Sequence, residues 1–269
     1  MFCHVSRSFS VDSLGCPLEH RLPHAYRFPG ESHDFTEMVF VAEGRIELVE
    51  EGRVFLMREG DLIFHAPMEF HRLRSVDGTR PRLFNLSFTA TGEVPCALYE
   101  GVFHLSAEGR EAFVRMFRTA QAFLSGERER GQCAADALCA FLWYVLSDAS
   151  VGSRAVTDPR ARLYEALVND MQKGVADNLT VEVLAERHHV SLGTVKAIFR
   201  RYADVSPKQY YRALRLSEAA RRLSAGQSVA EVAQSMSFSS AAYLTVFFKS
   251  ATGMTPAEYR RAGAPAPLP

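Results

Sequence analysis

The segment from Thr180 to Tyr259 contains one pattern written twice, and this duplication constrains the chain more than any other feature. "TVEVLAERHHVS" (Thr180 to Ser191) matches "SVAEVAQSMSFS" (Ser228 to Ser239) at an offset of 48. Val195, Phe199, Ser206, Pro207 and Tyr210 then match Leu244, Phe248, Thr255, Pro256 and Tyr259 at an offset of 49, so one residue has entered the second copy at its turn. Each copy reads as a short helix with a central alanine (Ala185, Ala233), a turn closing on an apolar residue (Val190, Phe238), and a second helix opened by a capping serine. The small alanine lets two crossing helices approach closely, and the apolar turn residue packs beneath them. That is the helix-turn-helix plan, in which the second helix lies in the DNA major groove with its first turns facing base edges. A single copy would match many amphipathic helix pairs. An ordered duplication that ends both times on Ser/Thr-Pro-x-x-Tyr predicts two such units, joined by a rigid helix from Ser206 to about Ser224.

A formal net charge of zero over 269 residues would seem to exclude a polyanionic partner, but the charge is unevenly placed. Residues 1–156 hold 16 arginines and no lysine against 21 acids, whereas residues 157–269 hold 15 basic against 10 acidic residues. An acidic half and a basic half cancel, and only the second suits a nucleic acid. The five cysteines (Cys3, Cys16, Cys96, Cys133, Cys139) are scattered without a CxxC pair, which argues against a disulfide framework or cysteine zinc site and fits a reducing compartment. The first residues lack an apolar signal core, and the longest apolar run, Ala137 to Leu146, is too short to span a bilayer. A cytoplasmic protein without a membrane partner is expected.

Short strands punctuated by turns fill the chain from Phe35 to about Phe88: "FTEMVFVAE", "RIELVE", "RVFLM", "DLIFHA", "FHRLRS" and "RLFNLSF". Many short strands imply a small sandwich or barrel. Two helices follow. "AEGREAFVRMFRTAQAFLSG" sets Phe113, Met116, Phe117, Ala120 and Phe123 at helical spacing, and a second runs roughly from Cys133 to Leu146. The breadth of that second helix's apolar surface predicts that Leu138, Leu142 and Val145 bury against a partner subunit, making a homodimer. "SDASVGSRAVTDPR" (Ser147 to Arg160) reads as the linker, and the proline-dense "AGAPAPLP" as a disordered tail.

On "SVAEVAQSMSFSSAAYLTVFFKSATGMTPAEYR", residues 160–261 resemble the DNA-binding domain of the AraC/XylS family of bacterial transcription regulators. The resemblance implies seven helices, two recognition helices entering successive major grooves, and usually activation through RNA polymerase. By position it implies that the first recognition helix presents Gly193, Thr194, Lys196, Ala197 and Arg200, and the second Ser240, Ala241, Ala242, Thr245 and Val246. Lys196 and Thr194 can hydrogen-bond bases, whereas Ala241, Ala242 and the Thr245 methyl suit thymine methyl groups. Family members commonly carry polar side chains at the positions of Ala197 and Val246, so the second helix is expected to read sequence less sharply. Arg201, Arg212, Arg215 and Lys249 can hold phosphates or merely line a solvated face.

"HDFTEMVFVAEG" and "GDLIFHAPMEFH" look like the two motifs of a cupin barrel, supplying His33, Glu37 and His71. Two chemistries fit these three: a two-histidine, one-carboxylate metal set, or the lining of a pocket for an organic ligand. In metal-binding cupins a further histidine would precede His33 by two places, where this chain has Glu31, and the ligand-lining reading without metal or cofactor is preferred. His65 and His104 are read as ordinary residues of the fold, and Arg72 or Arg82 as possible partners of an anionic ligand or exposed strand residues. The expected architecture is an α+β multidomain chain: a cupin-like β-barrel with a helical dimerisation segment over residues 1–150, and an all-α domain with two helix-turn-helix motifs over residues 158–262. The expected function is a non-enzymatic, sequence-specific regulator binding double-stranded DNA and responding to a small-molecule effector, carbohydrates included. The alternatives are a cupin metalloenzyme with an accessory DNA-binding domain, and a regulator whose barrel binds a protein partner.

Overall fold

The computed structural model describes residues 8–15, 17–126, 131–147 and 158–262, and divides into two compact units, Met1–Val156 and Thr157–Pro269. Most of the expected linker (148–157), the tail from residue 263, and Cys3 and Cys16 lie outside the described residues.

The first unit contains β1 (Phe9–Leu14), β2 (Leu18–Arg21), β3 (Thr36–Glu43), β4 (Arg45–Glu50), β5 (Arg53–Arg58), β6 (Asp61–His65), β7 (His71–Ser75), β8 (Arg82–Gly92) and β9 (Phe103–His104), followed by helices α1 (Ala107–Leu124) and α2 (Gly131–Ser147). One sheet has the order β1-β8-β3-β6-β9 with β2 added beside β8, and the other has the order β5-β4-β7. Every pairing is antiparallel. The two sheets form the jelly-roll version of the cupin-like fold, and alternation along each strand decides what each face meets. Val39, Val41, Ile63 and Leu83 of the large sheet pack against Ile46, Leu48, Phe55 and Met57 of the small one. Met38, Phe40, Leu62, Phe64, Leu86 and Phe88 point the other way, onto the helices. With both faces covered, β3 and β6 read as nearly continuous apolar runs.

Helix α1 is capped by the Ser106 hydroxyl, which accepts from the Gly109 amide, and it buries Phe113, Met116, Phe117 and Ala120. The T-shaped Phe84–Phe117 pair, with centroids 4.9 Å apart, ties it to the sheet. Helix α2 overturns one expectation: Leu138, Leu142 and Val145 are each fully buried inside this chain's own core, against α1 and the sheet. An apolar helix laid across both a sheet and a second helix needs no partner subunit to cover those residues. Its exposed aromatic is Trp143, whose ring meets Phe9 in a tilted contact with centroids 5.3 Å apart.

The second unit comprises α3 (Pro159–Lys173), α4 (Val181–Arg187), α5 (Leu192–Tyr202), α6 (Pro207–Ser224), α7 (Val229–Ser235), α8 (Ala241–Thr252) and α9 (Pro256–Ala262). Side-chain caps set the helix starts: Thr180 on Val183, Ser191 on Thr194, Ser228 on Glu231 and Ser240 on Tyr243. Ser206 and Gln209 form a reciprocal capping box that opens α6. The two turns repeat the same backbone, with φ of 52° at His189 and 55° at Ser237, and Ser239 is the inserted residue that delays the start of α8. The second helix-turn-helix has its own core of Val232, Ala233, Met236, Leu244, Phe247, Phe248 and Tyr259, joined by Leu216, Ala219, Ala220 and Leu223 of α6. The first is built around Tyr164, Phe199, Tyr202 and Tyr210, whose rings meet at centroid separations of 5.2 to 6.5 Å.

Candidate functional site

The sandwich opens at one end into a cavity of about 480 Å³. Tyr26, Phe28, Phe35, Val39 and Leu73 form its apolar wall, and His20, Glu31, Glu37, His71, Asn85 and Ser87 its polar end. Strand alternation explains the polar end, because Glu37 shares the inward face of β3 with Val39, and its cross-strand partners are Ser87 and His65. A two-way backbone bridge between Glu31 and His71, with N···O distances of 3.0 and 3.1 Å, brings in the residue that stands in place of the missing histidine.

Glu37 is the hub. One carboxylate oxygen lies 3.2 Å from His71 Nε2 and 3.9 Å from His33 Nε2, and the other accepts from Asn85 Nδ2 at 3.0 Å. Burial pushes its carboxyl up, but the hydrogen bonds from His71 and Asn85 outweigh burial and hold it down to about 2. Burial lowers His71, yet its bond to and attraction by Glu37 raise it on balance. His33 and His71 both turn Nδ1 toward main-chain carbonyls, His33 to Phe35 at 2.9 Å and His71 to Glu69 at 3.2 Å. When His33 Nδ1 donates to its carbonyl, its Nε2 is left as a lone pair, the orientation that metal-ligating histidines adopt, whereas His71 Nε2 donates to Glu37 and would give up that proton on holding a metal ion. His33 Nε2 is buried without a partner, and ligand atoms of Glu31, His33, Glu37 and His71 all lie within 4.8 Å of one another. The three residues expected from the motifs are therefore brought together, with Glu31 added.

Arg72 and Arg82 do not line this cavity, and Arg82 is held by Glu19 and Glu43. His65, read as an ordinary fold residue, belongs to a second buried group. Its Nδ1 lies 2.6 Å from Glu50 Oε1, and Arg53 bridges Glu50 and Glu69 at 2.8 and 3.3 Å. Burial raises both carboxyls to about 7 and lowers His65 well below its ordinary value. Although Glu50, His65 and Glu69 could also surround an ion, the Arg53 guanidinium already supplies the positive charge there. The three acceptors come from separate strands and a loop, so no sequence spacing announced them.

On α5, Val195, Ile198, Phe199 and Tyr202 face the core, while Gly193, Thr194, Lys196, Ala197 and Arg200 are exposed together. Arg201 is half-buried over the Tyr202 ring. On α8, Leu244, Phe247 and Phe248 face inward, and Ser240, Ala242, Val246 and Lys249 are exposed. Ala241 and Thr245 are half-buried, with the Thr245 hydroxyl donating to Ala241 O at 2.9 Å. Tyr243, overlooked in the sequence, is 54% exposed beside Val246 at 66%, so the second helix offers a large apolar face and one phenol. Of the arginines read as phosphate holders, Arg212 is exposed and donates to Ser250 Oγ at 2.6 Å. Arg215 is a correction: it is 8% exposed and its guanidinium is consumed by bonds inside the domain.

The helix-turn-helix domain family matches residues 184–262, and the cupin domain family matches residues 18–86. The HTH-type transcriptional activator RhaS of Pectobacterium carotovorum is 22% identical over 266 residues, 94% of each chain, so both matched regions and their order are shared along one full-length relative. The chain is similar to AraC-type activators in both domains and in their order. A putative AraC-like transcription regulator of Streptomyces lividans is 34% identical over 92 residues, 34% of this chain and 30% of that protein. Among solved structures, unsaturated fatty acid bound ToxT from Vibrio cholerae is 13% identical, covers 98% of this chain and 99% of its own, and superposes with a TM-score of 0.36.

Proposed function

We propose that this chain is a ligand-responsive transcription regulator of the AraC/XylS family that reads duplex DNA with α5 and α8. The supporting observation is the division of α5: its apolar side chains are spent on the domain core, leaving Thr194, Lys196 and Arg200 unburied on one helix of a basic unit. The named relatives include activators, which favours activation, contact with RNA polymerase and a cytoplasmic setting; no helix among the described residues is long and apolar enough to cross a membrane. Gly193, Ala197, Ala241, Ala242, Thr245 and Val246 approach bases, and Arg201 and Lys249 approach phosphates. A homodimer would involve α2 through Trp143 in place of the buried Leu142. Fluorescence anisotropy of the full chain on selected duplexes tests the reading: affinity should fall steeply with salt. Absent binding, or binding indifferent to salt, would refute it.

The pocket favours an effector rich in hydrogen-bond donors. Its polar end presents the Glu31 and Glu37 carboxylates and the buried, unpaired Asn85 Oδ1, and no lysine or arginine lines it among the described residues. An aromatic and aliphatic wall opposite such acceptors suits a neutral hydroxylated molecule, carbohydrates included, over an anion. A second reading rests on His33 Nε2: Glu31, His33, Glu37 and His71 fit a divalent ion, which would supply Lewis acidity to an effector's oxygens. With either occupant we read the barrel as the sensor of the regulator.

A further inference from the structure

The two helix-turn-helix units are built around separate cores and share α6, on which α3, α5, α7 and α9 all pack. Between the units lies a cleft of about 400 Å³, lined by Asn178 and Thr180 from the segment entering the first, by Phe238 and Tyr243 from the second, and by Tyr211 and Arg215 of α6. A single helix of 18 residues fixes the distance between the units, but by itself it does not stop either unit from rotating where it packs on the helix. Something off its axis must brace the two units if their recognition helices are to hold one relative angle.

Arg215 provides that brace. Its Nη1 donates to Asp177 O at 3.0 Å and Asn178 Oδ1 at 2.9 Å, both in the segment that leads into α4. Its Nη2 donates to Met236 O, in the turn that leads into α8. The guanidinium lies 4.3 Å from the centroid of the Phe238 ring, and Asn178 Nδ2 closes the loop by donating to Ser237 O at 3.1 Å. Asp177 and Asn178 stand just before the Thr180 cap, and Met236 and Ser237 just before the Ser240 cap, so the bonds grip both units where their helices begin. The planar arginine fork spreads its donors wide enough to reach acceptors of both units at once, which the compact ammonium of a lysine does not.

We propose that Arg215, with Asn178, is a positioning residue that fixes the angle between α5 and α8 and thereby the number of base pairs between the two DNA segments the chain reads. This rests on the DNA-reading function proposed above. Shifting one segment by a base pair moves it about 3.4 Å along and about 34° around the duplex, so even a modest relaxation of the brace blurs the preferred spacing.

The test uses the full chain and a duplex chosen by selection with the wild-type protein, together with duplexes one or two base pairs longer or shorter between the contacted segments, and one carrying a single segment. Wild-type affinity should peak at one spacing and drop on the order of tenfold for a one-base-pair change. Arg215→Met and Arg215→Lys, shown folded by circular dichroism, should lose on the order of tenfold at the optimum while binding neighbouring spacings about as well, with single-segment affinity within about twofold of wild type. Should both substitutions unfold the domain, Asn178→Ala, at an exposed position, cuts two of the ties and should flatten the profile in the same way. An unchanged profile, or a loss equal at every spacing and on the single segment, would overturn the proposal. Wild-type protein that binds no selected duplex would remove the DNA-reading function itself, and the brace with it.

Discussion

His65 lies flat on His71, their ring centroids 3.8 Å apart and their planes inclined by 1°. Through this stack the buried Glu50–His65–Glu69–Arg53 group sits directly behind the Glu37–His71 end of the sensor pocket. The folded Glu50 carboxyl, raised by burial to about 7 from an ordinary 4.5, holds its proton more tightly than it would unfolded. Folding therefore takes up a proton between those values, and stability falls as pH rises through that window, by at most about 3 kcal/mol once above it. Glu50→Gln keeps a partner for His65 without that charge. In chelator-treated protein, its melting temperature relative to wild type should climb between pH 5 and pH 8; a constant difference would contradict the assignment.

The sensor pocket makes its own prediction. Cobalt(II) added to metal-free protein should bind one equivalent per chain, read from its visible absorption, and His33→Ala or His71→Ala should weaken it by at least about tenfold. If neither substitution changes cobalt binding, the histidines serve the organic effector instead.

Helix α2 separates folding from assembly. Leu142 is fully enclosed, so Leu142→Asp should unfold the first unit, and Leu142→Ala should cost about 2 to 5 kcal/mol in denaturant titration. Trp143→Asp, on the 42% exposed ring, should leave the fold intact and shift a dimer toward monomer in sedimentation. A folded Leu142→Asp monomer would reverse the roles of these two residues.

The two recognition helices should contribute unequally. Lys196→Ala should relax base preference and cost about 1 to 3 kcal/mol if Lys196 pairs with a guanine. Binding-site selection should return a sharp consensus under α5 and, one helical turn away, a weaker preference set by thymine methyls or DNA shape under α8. Val246→Arg should raise affinity without being required for it. Two equally sharp segments would show that α8 reads bases through Tyr243 or another side chain left out of this division.

The helical half was legible because its signals are local. Serine caps, apolar spacing and the repeated turn placed every helix from α4 to α8, and β4 was bounded correctly by its own turns. The strands β1 and β2 were missed because neither is recognisable alone: β1 buries only Phe9 and Val11, β2 buries none of its four residues, and both exist by pairing with β8. Glu50, His65 and Glu69 escaped because β4 and β6 belong to different sheets, so only the packing of one sheet on the other, with the loop after β6, makes them neighbours. Arg215 did leave a trace. It lies on the stripe Tyr211, Arg215, Ala219 at helical spacing, the buried face of α6, where a charged residue is out of place unless it is bonded.

His189 and Ser237 occupy the same left-handed backbone in the two turns, and both are exposed side chains at a conformation that glycine adopts without cost. For other L-residues that conformation is disfavoured by roughly 1 to 2 kcal/mol. Each reader therefore carries an unused margin of folding stability at a site outside α5 and α8. The robustness of this domain can be engineered at those two turns while every side chain presented by the recognition helices stays as it is.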